Sequence, residues 1–315
     1  MHPVTEALLE QVRRDPYPKE HTSLYWQSEG EKLLIRRQGE DLLFQGFGIG
    51  AAGREGTAWN TFHALERASY RRVSSRLRSY GKIWMALRRL ARDLSIRISY
   101  DIWKSAVILA VLEDHWEEHR LSPRTFAMIG DGSGVLGALI RRHRPGIRMF
   151  CIDLPKALAF QSYFHGRADT RARLCRVSEA DSEKADVLFV LPQETESVSD
   201  PIDCAVNIAS MQEMDASSIR AYLAFLRKRS MAGSHFYCVN RKEKKLPGGE
   251  IARLDGYPWD PRDKIFLEGP CPYYTHYFSR CMKPAGPRWL GVRVPFINAF
   301  DGPMWHRLAH LEPLS

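Results

Sequence analysis

The chain has 315 residues, of which 44% are hydrophobic and 26% charged, a composition that suits a globular protein with a buried core. Its longest apolar run, residues 106–112, is too short to span a bilayer, and its first residues do not resemble a secretory signal, so we expect a cytoplasmic protein without an integral membrane segment. The formal net charge is +9, and six cysteines without a C-x-x-C pair fit a reducing compartment.

The first 58 residues have a mixed pattern. Two strand-like segments, 32–36 and 41–44, precede a glycine-rich segment with Gly46, Gly48, Gly50 and Gly53. A phosphate-binding loop would end in lysine and serine, and no such ending follows here. We therefore expect a flexible loop that leads to a helix.

Residues 70–98 repeat apolar side chains in steps of three and four, which predicts a helical seam. Gly81 either interrupts one long helix or separates two helices. Residues 67–97 hold ten Lys or Arg against one acid, Asp93, a net of ten minus one, or +9. We expect the seam at the periphery, either in a homodimer contact or packed on the rest of the chain, with the arginines solvated. Nucleic acid is not the expected partner.

The remainder of the chain divides into a buried helix and an alternating α/β pattern. Residues 101–118 predict the helix, which is apolar on most sides. After Ser122-Pro123, strand-like runs alternate with helical stretches, a pattern typical of a mainly parallel sheet with helices on both faces. We thus predict a largely helical N-terminal region, 1–121, with an oligomerisation or substrate-lid role, and an α/β domain, 122–315. The segments 273–278 and 290–295 are expected to supply antiparallel strands at one sheet edge.

A glycine-rich loop directly follows the first predicted strand of this domain. Gly130, Gly132 and Gly134 lie between the strand 126–129 and a helix, and Asp153 ends the next strand, nineteen residues after Gly134. Ligands bind at the carboxyl ends of parallel strands, and a carboxylate there can accept both hydroxyls of a ribose. The pattern fits a dinucleotide or an adenosyl cofactor. Because the dinucleotide fingerprint needs a glycine where Val135 stands, the adenosyl cofactor is favoured.

Four segments resemble the class I S-adenosylmethionine-dependent methyltransferases, in particular the sugar O-methyltransferase family. They are Ile-Gly-Asp-Gly-Ser-Gly-Val-Leu at 129–136, Cys-Ile-Asp-Leu-Pro at 151–155, Val-Asn-Ile-Ala-Ser-Met-Gln-Glu-Met at 206–214 and Tyr-Cys-Val-Asn-Arg at 237–241. Tyr-Pro-Trp-Asp-Pro-Arg-Asp at 257–263 also fits. The resemblance covers about 125–278 and implies a Rossmann-like sheet that binds S-adenosyl-L-methionine.

The resemblance implies a set of cofactor-binding residues. Gly130, Gly132 and Gly134 would approach the methionyl part, and Asp153 would hold the ribose. Leu154 and Leu191-Pro192 would lie beside the adenine, and Asn207 and Ser210 would face the methyl donor and acceptor. Met128 stands where the class usually has an acid, and Asp131 could partly substitute for it in organising the loop.

Methyl transfer to a hydroxyl also needs a group that takes the acceptor proton. Glu213 follows the fourth strand of the domain and is one candidate. His276, within an aromatic cluster that suits a sugar-binding wall, is a second, and Asp260 in a proline-rich loop is a third. A solvated or structural role competes with each. No compact set of metal ligands is visible, so we expect no metal.

Three functions remain open at this point. The favoured one is O-methylation of a sugar, in a surface glycan or a nucleotide-linked precursor. An NAD-dependent dehydrogenase is the second, and Val135 argues against it. The third is a non-enzymatic protein that binds an anionic polymer or membrane surface through the basic 67–97 helix.

Overall fold

The computed structural model describes residues 1–18, 22–39, 41–45, 57–279 and 286–313. The predicted glycine loop at 46–53 lies outside these residues. The helices of the described chain are α1 (Pro3–Arg14), α2 (Leu24–Glu29), α3 (Thr57–Ser69), α4 (Arg71–Ser74), α5 (Tyr80–Asp93), α6 (Tyr100–Glu118), α7 (Val135–His143), α8 (Pro155–Ala168) and α9 (Ala216–Arg229).

The strands that the sequence predicts between residues 126 and 239 are present, and the structure adds others. In chain order they are β1 (Leu34–Gln38), β2 (Asp41–Gln45), β3 (Thr125–Ile129), β4 (Arg148–Ile152), β5 (Leu174–Arg176), β6 (Val187–Val190), β7 (Ile202–Ile208), β8 (Ser230–Arg241), β9 (Glu243–Lys245), β10 (Ile251–Arg253), β11 (Lys264–Pro270), β12 (His276–Phe278), β13 (Arg288–Trp289), β14 (Val292–Arg293), β15 (Ile297–Ala299) and β16 (Met304–His310).

Eight of these strands form the central sheet, in the order β11-β16-β8-β7-β3-β4-β6-β5. β3 pairs in parallel with both β4 and β7, and the chain winds outward from β3 in both directions. β16 is antiparallel to β8 and to β11, between which it lies. This doubly wound sheet with one inserted antiparallel strand confirms the predicted α/β, Rossmann-like fold.

Alternate residues of the strands feed two hydrophobic clusters, one on each face of the sheet. Met128 and Cys151 belong to the cluster that includes side chains of α6, α7 and α8. Ile129 and Ile152 belong to the opposite cluster, which includes side chains of α9. Both faces are therefore covered by helices, as a mainly parallel sheet requires.

The predicted edge strands are wrong in their location. Residues 273–278 contribute β12, which pairs with β15 in a separate two-stranded sheet. Residues 290–295 contribute β14, which forms a hairpin with β13. The antiparallel edge is instead made by β16 and β11. β11 is the outermost strand of the sheet, and its residues do not alternate regularly between buried and exposed.

The basic seam does not form one continuous helix: it is divided between α4 and α5, and α5 packs within the chain. α4 ends at Ser74, and Gly81 lies in the first turn of α5 rather than in its middle. Ile83, Leu87 and Leu90 are fully buried, and α5 contacts α6, α7 and α8. The packing alternative thus accounts for the apolar face of α5, and a homodimer through this helix stays a prediction.

The region 1–121 shares its core with the sheet domain. α1 packs on α8, and one continuous hydrophobic cluster runs from Val4 in α1 to Leu308 in β16. Within the described ranges, no helix is long and apolar enough to cross a membrane. The division at residue 121 remains a prediction.

Candidate cofactor and acceptor cleft

A cleft of about 740 Å³ opens at the carboxyl ends of β3, β4 and β7. Its floor contains the loop 130–133 after β3, Asp153 and Leu154 after β4, and Ala209 and Ser210 after β7. This volume lies within the range of pockets that enclose small-molecule ligands. The sheet therefore gathers residues that are far apart in sequence at the place where a doubly wound fold binds its ligand.

The glycine loop fits between the loop after β7 and helix α8. Gly130 has a φ of +69°, and a Cβ built on it would lie 1.9 Å from Oγ of Ser210. Gly134 has a φ of +77°, and a Cβ there would lie 3.0 Å from the backbone Cα of Gln161. Both positions thus exclude a side chain by conformation and by space. Gly132, also at positive φ, lines the cleft.

Asp131 organises the start of α7. Its Oδ2 accepts a hydrogen bond from the backbone N–H of Gly137 at 2.8 Å, which satisfies a free donor of the helix N-terminus. Burial raises the pKa of Asp131 to about 7. Asp131 thus joins the glycine loop to the first turn of α7, and its substitution for the acid that the class usually has at the position of Met128 remains a prediction. Asp131 also lines the cleft.

Asp153 is held by neighbours that orient its carboxylate. Its Oδ1 accepts the backbone N–H of Leu154 at 2.8 Å, and its Oδ2 accepts Nε2 of Gln161, also at 2.8 Å. The same Nε2 lies 3.4 Å from the carbonyl oxygen of Gly132. Burial raises the pKa of Asp153 to about 7. Gln161, which the sequence reading missed, therefore links the ribose candidate to the glycine loop.

Three of the predicted cofactor residues do not line the cleft. Leu191 is 3% exposed and belongs to the hydrophobic core. Asn207 is fully buried, where its Nδ2 donates to the carbonyl of Ile129 at 2.9 Å. Gly134, the residue before α7, is not among the lining residues. Asn207 thus ties the ends of two strands together, because its amide can pair with buried backbone groups.

The other predicted cofactor residues line the cleft. Besides the loop itself, the cleft lining includes Leu154, Pro192 and Ser210. Their contact with a cofactor remains a prediction.

Glu213 lines the cleft beside a lysine. Its Oε1 lies 2.7 Å from Nζ of Lys244, and both side chains are mostly buried. Burial raises the pKa of Glu213, while the Lys244 ammonium acts to lower it. Oγ of Ser23, from the N-terminal region, donates to the carbonyl of Glu213 at 2.5 Å. Of the three candidates for taking the acceptor proton, only Glu213 is among the cleft residues.

His276 lies outside the cleft, in a separate hollow. Its Nε2 is 2.7 Å from Oγ of Ser69, and its Nδ1 is 2.9 Å from Oγ1 of Thr275. The ring stacks on Tyr70 with centroids 4.5 Å apart. Burial lowers the pKa of His276. Both ring nitrogens are engaged in structural contacts, which corrects the prediction that this histidine faces the acceptor.

Asp260 also lies outside the cleft. The side chain and backbone N–H of Arg262 both donate to its carboxylate and hold its pKa below the usual range. Asp263, its neighbour in the same turn, pairs with the buried Arg227 at 2.7 Å. These contacts close a turn beside α9, so the predicted catalytic role of Asp260 has no geometric basis.

Much of the cleft wall is aromatic and comes from segments without a motif. The lining residues of this kind are Tyr17, Tyr25, Trp26, Tyr100, Tyr222, Tyr274, Tyr277, Phe278 and Phe300. The aromatic run 273–278 was a usable signal for the C-terminal part of this wall. The N-terminal aromatics Tyr17, Tyr25 and Trp26 had none, because no motif marks them and their place in the wall depends on tertiary packing.

A buried ammonium group lies in the aromatic part of the wall. Nζ of Lys104 is 2.5 Å from the hydroxyl of Tyr274 and 2.7 Å from Oδ1 of Asp101. It also lies 3.9 Å from the centroid of the Tyr274 ring. Burial acts to lower the pKa of Lys104, but Asp101 raises it above the ordinary value, so the group is charged. The site can thus offer a hydrogen-bond donor and an acceptor side by side.

A histidine and a carboxylate face each other at the edge of the cleft. Nδ1 of His63 lies 3.6 Å from Oε2 of Glu66, and Oε1 of Glu66 accepts the backbone N–H of Phe278 at 2.7 Å. Both side chains line the cleft. The arrangement is that of a base, His63, with a group that orients it, Glu66. The i, i+3 spacing in the sequence predicts only that the two side chains are neighbours on one helix.

Among the residues that the structure describes, no group of three or more His, Cys, Asp or Glu is placed to hold a metal ion.

No protein-family model matches the chain, and no curated protein matches its sequence. The crystal structure of Thermoplasma acidophilum 1320 has 12% identity and a TM-score of 0.42, and the match covers 75% of this chain and 98% of that one. The mitomycin 7-O-methyltransferase MmcR has 12% identity and a TM-score of 0.37, and the match covers 88% of this chain and 79% of that one. The pyocyanin biosynthetic protein PhzM has 16% identity and a TM-score of 0.30, and the match covers 43% of this chain and 39% of that one. At such low identities and TM-scores, these structures carry no argument about the function of this chain, and only the residues of its cleft do.

Proposed function

We propose that the protein is an S-adenosylmethionine-dependent methyltransferase. The observation that supports this most is the pairing of Asp153 with the glycine loop in one cleft. The Asp153 carboxylate, oriented by Leu154 and Gln161, is suited to accept two ribose hydroxyls. Gly130 and Gly132 have positive φ angles and line the cleft, so a ligand can approach their backbone closely.

Val135 supports the adenosyl cofactor over a dinucleotide. It is 2% exposed and occupies the first position of α7, where the dinucleotide fingerprint has its third glycine. That glycine allows the close approach of helix and strand in dinucleotide-binding folds. The valine side chain fills this space here and disfavours the dehydrogenase alternative.

The reaction we propose is transfer of a methyl group to a hydroxyl oxygen. When bound, S-adenosylmethionine supplies a sulfonium methyl carbon: the C–S bond breaks with its electron pair on sulfur as the O–C bond forms. The protein aligns the acceptor and takes the hydroxyl proton. Glu213 is the proposed proton acceptor, because it lines the cleft and burial raises its pKa towards the range useful for a base.

The acceptor we propose is a sugar, in a glycan or a nucleotide-linked precursor. The sequence resemblance points to sugars, and the aromatic wall offers flat apolar faces with polar tips, to which sugar rings and their hydroxyls are complementary. Lys104 and Asp101 add a donor and an acceptor for hydroxyl groups.

A methyl-transfer assay tests this proposal. The purified protein is incubated with S-adenosylmethionine labelled in its methyl group and with matched panels of sugars, nucleotide sugars, phenols and amines. We expect label in a sugar fraction, together with an equal amount of S-adenosylhomocysteine. Label only in phenols or amines would overturn the sugar assignment, and no S-adenosylhomocysteine above a protein-free control with any acceptor would overturn the enzyme assignment.

A further inference from the structure

A short hairpin near the end of the chain exposes large apolar side chains. β13 and β14 pair Arg288 with Arg293 and Trp289 with Val292. Trp289 is 74% exposed, Leu290 is 85% exposed and Val292 is 72% exposed, the three highest values among the large apolar side chains of the described residues. Soluble surfaces rarely cluster such residues unless the cluster contacts something else.

The turn of this hairpin holds a leucine where the backbone favours other residues. Leu290 has a φ of +48° and Gly291 has a φ of +79°. A two-residue turn of this kind favours glycine, asparagine or aspartate, because a side chain is strained in the left-handed region. Leu290 therefore adds strain to the fold and remains in solvent. Its apolar side chain is of use only in a contact outside the chain.

The base of the hairpin lies beside the first part of the basic segment 67–97. Gly286 and Pro287 line a separate hollow together with Ser69 at the end of α3, and Arg288 is exposed. The first exposed arginines of the segment, Arg71 and Arg72, follow Ser69 by two and three residues. The exposed basic residues of this segment are Arg71, Arg72, Arg76, Arg78, Lys82, Arg88, Arg89 and Arg92.

We propose that the hairpin tip and this basic surface dock the protein on an anionic lipid bilayer. Tryptophan and leucine at the tip would enter the boundary between headgroups and acyl chains, where tryptophan is favoured. The arginines would contact anionic headgroups. The apolar face of α5 is already buried against the chain, so the hairpin supplies the apolar contact and the helices supply the charge.

The charge and the apolar tip together favour a bilayer over other partners. A nucleic acid would engage the arginines but leave the tip in water. A second copy of the chain would bring two basic surfaces together, which is electrostatically unfavourable. Only an anionic surface with an apolar interior is complementary to both features.

The docking surface lies beside the cleft in the fold. The hairpin is inserted between β12 and β15, which pair with each other, and Tyr277 and Phe278 of β12 line the cleft. Docking would therefore present the cleft to molecules at the membrane surface. The binding itself does not depend on the proposed methyltransferase activity.

Vesicle co-sedimentation tests this proposal with the full chain and no cofactor. Wild-type protein is mixed with phosphatidylcholine vesicles that contain either no phosphatidylglycerol or about 30% of it. We expect binding to the anionic vesicles that weakens as salt is raised. The variant W289A/L290A should bind at least ~10-fold more weakly, and so should R71E/R72E. The control L43A/I265A, which shortens two exposed apolar side chains elsewhere, should bind like the wild type.

Each outcome of this experiment decides the proposal. Equal melting temperatures establish that the surface variants are folded. Absence of wild-type binding to anionic vesicles would overturn the proposal, and so would anionic binding that W289A/L290A leaves unchanged. Without vesicles, a wild-type dimer in light scattering that W289A/L290A converts to a monomer would overturn it in favour of a second copy as the occupant. Quenching of Trp289 by brominated lipid, measured as the difference from W289F, would support insertion of the tip.

Discussion

At the scale of single residues, Asp153 is the group on which the cofactor assignment depends most. Replacing it with alanine removes charge-assisted hydrogen bonds to the ribose, each worth roughly 1.5–3 kcal/mol before compensation. We expect the affinity for S-adenosylhomocysteine to fall at least ~10-fold. Isothermal titration measures this, and an alanine variant that binds like the wild type would remove Asp153 from the site.

The pH dependence of binding carries a second signature of Asp153. Its pKa in the free protein is raised to about 7, so the carboxylate is protonated in much of the population below that pH. A protonated carboxyl accepts fewer hydrogen bonds, and cofactor binding must then expel the proton. We expect affinity to increase as pH rises towards about 7 and to level off above it. Asp131, which lines the same cleft, also has its pKa raised to about 7, so the contribution of Asp153 is the part of the rise that Asp153→Asn removes. A wild-type profile without a rise, or a rise that Asp153→Asn leaves unchanged, would contradict the role.

The proposed proton acceptor is tested by a change that keeps its shape. Glu213→Gln should lower kcat by ~100-fold while leaving cofactor affinity nearly unchanged, because the amide cannot take the acceptor proton. His276→Ala serves as the control, since His276 lies outside the cleft. Full activity in Glu213→Gln, with loss in His63→Gln, would transfer the role to the His63–Glu66 pair.

At the scale of elements, helix α5 shows how a sequence pattern can be right about burial and wrong about detail. The three-four repeat predicted a buried stripe, and Leu87 is indeed fully buried. The repeat counted from Tyr70 runs through Leu77, Trp84 and Leu87, but Leu77 and Trp84 are only partly buried. Ile83 and Leu90, which do not belong to that repeat, are fully buried beside Leu87. The repeat could not show the break between α4 and α5, because residues 75–79 fit the same spacing in a turn.

The packing of α5 predicts a stability difference within one helix. Leu87→Ala should destabilise the protein by about 2–5 kcal/mol, since it leaves a cavity in the core. Met85→Ala, on the 47% exposed side chain of the same helix, should change stability by no more than about 0.5 kcal/mol. Chemical denaturation measures both. Equal effects would mean that the α5 seam is not buried in the chain, and light scattering would then report whether a second copy covers it.

The elements of the sheet were easier to predict than the walls of the cleft. The strands β3, β4, β6, β7 and β8 each carry a short apolar run, so they could be predicted, whereas β5, with the sequence Leu-Cys-Arg, could not. The loop after β3 carries glycines, which adopt backbone conformations closed to other residues, so its position and its role could be inferred together. Leu191 and Asn207 were misassigned because their places at strand ends are correct while their side chains turn into the core. Trp26 and Lys104 could not be found, since their approach to the cleft depends on tertiary packing alone.

At the scale of the whole molecule, the N-terminal region and the sheet form one core. Val4 and Leu8 in α1 belong to the same hydrophobic cluster as Leu308 in β16. We expect calorimetry to show one cooperative unfolding transition with equal calorimetric and van't Hoff enthalpies. We also expect the fragment 122–315 to be unfolded. Two separate transitions, or a folded fragment, would show that the regions on either side of residue 121 are independent domains.

Direct measurement of cofactor binding tests the central claim, that the cleft binds an adenosyl cofactor through its glycine loop. Isothermal titration of the wild type and of Gly132→Val with S-adenosylhomocysteine and with NAD⁺ decides it. We predict that the wild type binds S-adenosylhomocysteine at one site and does not bind NAD⁺. Gly132→Val should remain folded and bind neither, because a β-branched side chain is strained at a φ of +56° and would obstruct the ligand. Binding of NAD⁺ by the wild type, or unchanged binding of S-adenosylhomocysteine by Gly132→Val, would contradict the claim.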